Sequence, residues 1–168
     1  MKCNLCGYEG DFLPMGDRKN AKCPNCKSLE RHREFANIVK IKDFDKVYHA
    51  SPNKGLKSYL SNKCDYSFGY YETGNDLRAI HHLPETFNYI IAIHVLEHID
   101  GDALAISEVY RTLKRGGKFI LQVPYEKKPT HEHINIYTKS GIGKKLKKAG
   151  FRVRNLTSGD QQFIEATK

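Results

Sequence analysis

The chain has 168 residues and a mass of 19.3 kDa, which allows one ordinary domain or a small module attached to a compact one. Hydrophobic residues make up 39% and charged residues 28%, a composition that fits neither a disordered chain nor a membrane-spanning one. The net charge is +9, and residues 126–168 contribute most of it, with ten basic against four acidic residues. No signal-peptide-like segment opens the sequence, so we expect a cytoplasmic location where the five cysteines stay reduced.

Two Cys-x-x-Cys pairs near the N-terminus form the strongest pattern in the sequence. Cys3 and Cys6 make the first pair, and after sixteen residues Cys23 and Cys26 make the second. This spacing predicts a zinc ribbon, because each short loop can bring two thiolates to one tetrahedral Zn²⁺ ion. A complete shell of four thiolates leaves no open position, so we expect a structural ion. The alternatives are disulfide bonds, which the expected compartment disfavours, and a redox-active pair; Cys64 lies outside the set.

After the second pair, the chain alternates predicted helices and strands. Ser28 is a suitable N-cap for a helix over residues 29–39. Residues 88–95 are nearly continuously apolar, as expected for a strand that is buried on both faces of a parallel sheet. Further strands are predicted over residues 46–51, 65–72, 118–124, 151–157 and 161–167, and further helices over 56–60, 102–115 (capped by Asp102) and 139–149.

This alternation predicts an α/β fold with a mostly parallel sheet and a C-terminal antiparallel hairpin. We divide the chain into a zinc ribbon with its connecting helix, residues 1–44, and an α/β domain, residues 45–168. In such open sheets, ligands bind outside the carboxyl ends of the strands. That rule selects four segments that we expect to converge around one crevice: residues 49–53, 72–76, 94–98 and 124–126.

Several motifs add a family resemblance to this pattern. Residues 87–90 read Phe-Asn-Tyr-Ile, residues 94–99 read His-Val-Leu-Glu-His-Ile, and residues 113–117 read Leu-Lys-Arg-Gly-Gly. These runs resemble the strand start, the strand end and the Gly-Gly turn of class I S-adenosylmethionine-dependent methyltransferases. Residues 23–33 are similar to the Cys-Pro-x-Cys-x-Ser-Leu-Glu-Arg-His-Arg run of a subgroup that carries an N-terminal zinc-binding segment. Residues 47–52 and 133–137 resemble two further segments of that subgroup.

The resemblance covers nearly the whole chain and implies a minimal Rossmann-like sheet. It also implies S-adenosylmethionine as methyl donor and an O or N atom of a small molecule, a sugar or RNA as acceptor. A carboxylate such as that of Glu72 would accept hydrogen bonds from both ribose hydroxyls. A histidine would serve as general base. The implied cofactor-binding residues are His49, Ala50, Ser51, Pro52, Glu72, Asp76, His94 and Glu97. The implied catalytic residues are His94, His98, His133 and Tyr137, with His131 in the same loop as His133.

The sequence departs from the family in two places. Where a Gly-rich turn usually follows the first strand, only Gly55 is present, and Ala79 stands where the family places an aspartate near the adenine. These departures favour an alternative, a degenerate non-catalytic module that binds nucleic acid or protein through the ribbon and the basic C-terminal helix. The basic C-terminal third also makes RNA a candidate partner of the enzyme. The catalytic hypothesis fails if side chains such as His49, Asn53 or Tyr71 fill the crevice.

Overall fold

The computed structural model describes residues 1–125, 133–158 and 161–168, and these contain two sheets and four α-helices. A small antiparallel sheet is formed by β1 (Leu13–Met15) and β2 (Arg18–Lys22). The large sheet is formed by β3 (Lys46–Ala50), β4 (Asp65–Gly69), β5 (Phe87–Ile93), β6 (Leu113–Gln122), β7 (Arg152–Ser158) and β8 (Gln161–Thr167). The helices are α1 (Glu30–Ile38), α2 (Lys54–Ser61), α3 (Asp102–Thr112) and α4 (Lys139–Lys148). Within the described ranges, no helix is long and apolar enough to cross a membrane.

The six strands of the large sheet lie in the order β4-β3-β5-β6-β8-β7. The first four are mutually parallel, and β8 runs antiparallel to both β6 and β7. The predicted parallel sheet with a C-terminal hairpin is therefore confirmed. Because β3, β4, β5 and β6 point the same way, their carboxyl ends share one edge of the sheet.

Helices cover both faces of the sheet. Phe35 of α1 and Leu56 of α2 pack with Ile91 and Ile120 on one face. α3 and α4 cover the other face, where Ile106 belongs to the larger core cluster. Strand β5 is accordingly apolar along nearly its whole length, since both of its faces are buried. The helix after the second cysteine pair thus shares its core with the sheet.

Several element boundaries differ from the prediction. The N-cap of α1 is Leu29, because Ser28 is buried and its Oγ lies 3.1 Å from Cys26 Sγ. Helix α3 begins after Gly101, and Asp102 does not cap it but accepts hydrogen bonds from Tyr137 and Lys145. The helix ends at Thr112, three residues before the predicted end. Strand β4 stops at Gly69, and Tyr71–Thr73 forms a 3-10 turn.

Gly69 stands where two segments meet at the end of β4. A β-carbon at this position would overlap the Asn75 carbonyl oxygen and the Tyr48 hydroxyl, which hydrogen-bond each other at 2.8 Å. We expect Gly69→Ala to lower the free energy of unfolding by about 1–3 kcal/mol, because backbone must move to make room. Urea denaturation measures this change. Gly143→Ala is the matched control, because an added β-carbon there meets nothing within 4 Å. Since Gly143 lies within α4, this substitution should raise the free energy of unfolding by up to about 1 kcal/mol. Equal effects of the two substitutions would contradict the packing at Gly69.

Candidate active site and metal centre

The four predicted metal ligands converge. The Sγ atoms of Cys3, Cys6, Cys23 and Cys26 all lie within 4.8 Å of one another. The Cys3–Cys26 and Cys6–Cys23 sulfur pairs are each separated by 3.7 Å. Four sulfurs bound at ~2.3 Å to a tetrahedral ion lie about 3.8 Å apart, so the spacing suits Zn²⁺. Four thiolates leave no position for a substrate, as is typical of a structural metal site.

Both cysteine loops have the same backbone design. The residue after each pair, Gly7 in the first loop and Lys27 in the second, has a positive φ, 75° and 61° respectively. Each donates its backbone N–H to the carbonyl of the first cysteine of its pair, Cys3 or Cys23. The left-handed residue turns the chain back, so that both sulfurs of a loop face the same point. Lysine at the second turn shows that this conformation does not require glycine here, although glycine adopts it with less strain.

The metal centre packs against the start of α2. A β-carbon on Gly55 would lie 2.9 Å from both the carbonyl oxygen and the Sγ of Cys26. Asn53 caps α2 by accepting from the Gly55 N–H at 2.9 Å, and its amide donates to the Lys27 carbonyl at 3.2 Å. Gly55 thus admits the metal loop and supports the turn that follows β3.

A cavity of about 310 Å³ opens at the carboxyl ends of the parallel strands. It is lined by Ala50, Ser51, Gly69, Tyr71, Asp76, Leu77, His94, Val95, His98 and Ile99. We call it the strand-end cavity. Tyr71 forms part of its wall, and neither His49 nor Asn53 lines it. The side chains that could have filled the crevice therefore leave it open.

A wider space of about 700 Å³ adjoins the strand-end cavity and shares Tyr71 and Asp76 with it. Glu72 and Ala79 line this outer part. Burial would raise the pKa of the Asp76 carboxyl, but hydrogen bonds from the Arg78 guanidinium and backbone N–H lower it below its usual value. Asp76 is therefore a fixed carboxylate, three residues before the position where the family pattern places one.

His94 lies at the end of β5 beside a buried carboxylate. Its Nδ1 is 3.2 Å from Glu97 Oε1, and Glu97 is fully buried. An imidazole whose Nδ1 faces a carboxylate has Nε2 left to take up a proton, an arrangement used by catalytic bases. The backbone at His94 is left-handed, with φ 54°, and that of Ser51 is left-handed too, with φ 44°. Such strain in non-glycine residues is concentrated at functional sites.

Glu97 also approaches two further histidines. One ligand atom each from Glu97, His98 and His133 lie within 4.8 Å of one another, and the rings of His98 and His133 are 4.9 Å apart. The backbone N–H groups of Ile134 and Asn135 donate to the Glu97 carbonyl, which holds the His133 segment in place. These donor types suit a proton or a divalent transition metal.

A third cavity of about 340 Å³ lies between the ribbon and the sheet. It is lined by Met15, Lys22, Lys27, Leu29, Arg31, His32, Ser51, Asn53, Ile93 and His94. We call it the ribbon cavity. Ser51 and His94 line both this cavity and the strand-end cavity, so these two residues form a wall that the cavities share.

Comparison with known proteins decides the family. Residues 4–156 match a family model described as a methyltransferase domain. The chain belongs to this methyltransferase family. A comparison with curated proteins found no sequence match.

Several solved structures have the same fold as this methyltransferase. A SAM-dependent methyltransferase from Aquifex aeolicus superposes with a TM-score of 0.60 at 15% identity, over 82% of this chain and 88% of the other. A Bacillus halodurans protein with a provisional methyltransferase assignment gives 0.62 at 19%, over 74% and 68%. Phosphoethanolamine N-methyltransferase 2 of Haemonchus contortus, solved with S-adenosyl-L-methionine, gives 0.62 at 13%, over 84% and 53%. At these identities, the likeness establishes the Rossmann-like sheet.

The methyltransferase brings most of its predicted site residues to this edge of the sheet. Ala50, Ser51, Asp76, His94 and His98 line the strand-end cavity, and Glu72 lines its outer part. Glu97 lies beneath His94, and His133 packs on His98. Their roles in binding and catalysis stay predictions. Glu126 and His131 lie outside the described residues.

Three predicted site residues lie elsewhere in the methyltransferase. His49 is buried and 3.0 Å from the Tyr66 hydroxyl, and burial lowers the pKa of His49 to about 3, so it is neutral. Pro52 is buried and lines neither cavity. Tyr137 is buried and donates to Asp102 at 2.8 Å. All three side chains are buried within the fold and do not line the strand-end cavity or the ribbon cavity.

The ribbon-side residues of the third cavity were not identified as site residues from the sequence. Arg31 and His32 fall within the Ser-Leu-Glu-Arg-His-Arg run. Both lie in the helix predicted over residues 29–39, and the sequence prediction gave them no functional role. Only the docking of the ribbon against β5 shows that they face His94.

Proposed function

We propose that this methyltransferase binds S-adenosylmethionine in the strand-end cavity and transfers its methyl group to an O or N atom of an acceptor in the ribbon cavity. The observation that carries the proposal is that Ser51 and His94 line both cavities. A cavity of about 310 Å³ with a wider mouth is within the size range of small-molecule sites. Its carboxylates, Glu72 and Asp76, suit the ribose hydroxyls and the amino group of an adenosine.

The protein residues orient the reactants. When bound, S-adenosylmethionine supplies a methyl group that is already activated by a sulfonium. Asp76, held by Arg78, and Glu72 would fix the adenosine end at the outer mouth. Ser51 and His94 would then border the place of transfer, and alignment of the two reactants is the main catalytic requirement.

His94 would take the acceptor proton. With the donor bound, the acceptor lone pair would form the bond to the methyl carbon, and the electron pair of the broken carbon–sulfur bond would stay on sulfur. The proton of the acceptor hydroxyl or amine passes to His94 Nε2, while Glu97 at 3.2 Å from Nδ1 stabilises the resulting imidazolium. The buried site of Glu97 strengthens this interaction, because little water screens it.

Isothermal calorimetry with S-adenosylmethionine tests the proposal. We expect micromolar binding to the zinc-loaded chain and about 10- to 100-fold weaker binding to Glu72→Gln, because hydrogen bonds to a charged group contribute about 1.5–3 kcal/mol. Glu34→Gln, on α1 and outside both cavities, is the control and should bind as the wild type does.

Absence of heat up to millimolar cofactor would overturn the proposal and leave a metal-stabilised binding module. Equal affinity of Glu72→Gln and the wild type would remove Glu72 from the site.

RNA remains a predicted acceptor. Lys144, Lys147 and Lys148 of α4 are exposed and provide the expected basic face. They line neither the strand-end cavity nor the ribbon cavity. An RNA that used this face would show binding that weakens steeply with added salt.

A further inference from the structure

We infer that the methyl acceptor is a small molecule with a phosphate or carboxylate group, and that Arg31 binds this group in the ribbon cavity. The inference rests on the proposed function for the place of methyl transfer. The anion site itself stands on the environment of Arg31, on the charge of the cavity and on its junction with His94.

Arg31 differs from the other arginines of the ribbon. Arg18 pairs with Glu30 at 3.0 Å, and Arg33 donates to the Ser28 and Ala21 carbonyls. Arg31 is half-buried, and its Nε is fully buried with no hydrogen-bond partner among residues 1–125, 133–158 and 161–168. Leaving a buried donor of a charged group unpaired costs free energy. An anion that entered the cavity would supply the missing acceptor.

Burial and nearby positive charge destabilise the charged form of the Arg31 guanidinium. Burial, together with the charge of Arg18, lowers the pKa of the Arg31 guanidinium. Glu30 and Glu97 oppose this effect, but neither of them lines the ribbon cavity. Arg31 stays protonated nonetheless, because a free guanidinium deprotonates only far above neutral pH. The cavity wall therefore carries a cation that its own surroundings stabilise poorly.

The remainder of the lining adds to the positive charge. Lys22 and Lys27 line the cavity with Arg31, and no aspartate or glutamate appears among its lining residues in the described parts of the chain. His32 contributes a neutral ring, since burial and then the charge of Arg31 lower the pKa of His32 to about 3. Its Nδ1 accepts from the Leu29 N–H at 3.0 Å, so Nε2 is the protonated nitrogen. The cavity lining thus contains three cationic residues and a neutral histidine, with the Lys27 ammonium also donating to the Pro24 carbonyl at 2.6 Å.

Size and position narrow the ligand class. A volume of about 340 Å³ accommodates a small molecule. The planar guanidinium of Arg31 matches the paired oxygens of a carboxylate or a phosphate. A molecule whose anionic group lies at Arg31 fills the cavity toward Ser51 and His94, where the methyl group would arrive. The reaction that supplies the acceptor must therefore leave a phosphate or carboxylate on it.

The test follows the arginine Nε–H resonances of the full zinc-loaded chain by ¹H–¹⁵N NMR during titration with inorganic phosphate and, separately, with acetate. We expect the Arg31 resonance to shift saturably with at least one of these anions at millimolar concentration. Arg31→Met, which keeps much of the aliphatic stem, identifies the signal and should weaken anion binding at least tenfold. Arg31→Lys should retain part of it. Arg115→Met is the control, because Arg115 is exposed and does not line the cavity.

The two titrations distinguish the two kinds of anionic group. A response to phosphate alone indicates a phosphate-bearing acceptor, and a response to acetate alone indicates a carboxylate-bearing acceptor. An unmoved Arg31 resonance, or unchanged anion binding by Arg31→Met, would overturn the inference. Saturation by a decamer of uridylate without saturation by either small anion would also overturn it in favour of RNA. Calorimetry with S-adenosylmethionine, run on Arg31→Met, should match the wild type. If neither the wild type nor Arg31→Met binds S-adenosylmethionine, the proposed function is refuted, whereas the anion site is not affected by that result.

Discussion

Replacing Cys26 with serine should remove the metal ion, unfold the ribbon and weaken cofactor binding. A module of this size has too small a core to fold without its ion, and structural zinc contributes about 10–16 kcal/mol in zinc-finger peptides at neutral pH. The loss should extend beyond the ribbon, because Cys26 contacts Gly55 at the start of α2 and Asn53 links that turn to Lys27. We expect zinc content to fall from one ion per chain to nearly none. We also expect the affinity for S-adenosylmethionine to fall at least tenfold.

Elemental analysis, urea denaturation and calorimetry measure these three effects. Cys64→Ser is the matched control, since Cys64 is a half-buried thiol outside the four-cysteine cluster and donates to the Leu60 carbonyl, which a hydroxyl can also do. It should keep the metal and the cofactor affinity. A Cys26→Ser chain that loses its metal but binds the cofactor as the wild type does would show that the ribbon does not support the turn after β3.

Replacing His94 with asparagine should lower the rate of methyl transfer by about 10²–10⁴-fold, the usual contribution of a positioned general base. Asparagine tolerates a left-handed backbone, so the φ of 54° at this position is kept. The affinity for S-adenosylmethionine should change less than fivefold, because the proposed adenosine contacts lie with Glu72 and Asp76 at the outer mouth.

The rate is measured as transfer of a tritiated methyl group from the cofactor to a fraction of phosphate- and carboxylate-bearing metabolites. Glu97→Gln, which keeps the shape of the buried side chain and removes its charge, should lower the rate as well. Full activity of His94→Asn would assign His94 a place in the wall of the cavity and no role in proton transfer.

The sequence was informative wherever a local pattern determines the structure. Cys-x-x-Cys spacing implies convergence because two short loops must share one ion, and the structure brings the four sulfurs within 4.8 Å. The apolar run of β5 reports burial on both faces, and the parallel order then places His94 beside Ser51 at one edge of the sheet.

Features that depend on contacts distant in sequence were not predictable. Ser28 has the side chain of an N-cap, but the fold brings Cys3 Sγ to 3.7 Å from its hydroxyl, beside Cys26 Sγ at 3.1 Å, and the helix begins one residue later. Asp102 likewise has the pattern of a cap, and only the fold brings Tyr137 to its carboxylate. The ribbon cavity has no sequence signature, because Arg31 becomes a wall residue only when the ribbon docks on the sheet.

The most direct test of the account is a crystal structure of the zinc-loaded chain with S-adenosylhomocysteine. We expect electron density for the adenosyl group in the strand-end cavity, with the ribose hydroxyls within hydrogen-bond distance of Glu72 and the sulfur on the side of Ser51 and His94. Density for the ligand at another surface, or an empty cavity at saturating ligand with His94 or Tyr71 turned inward to fill it, would contradict the account.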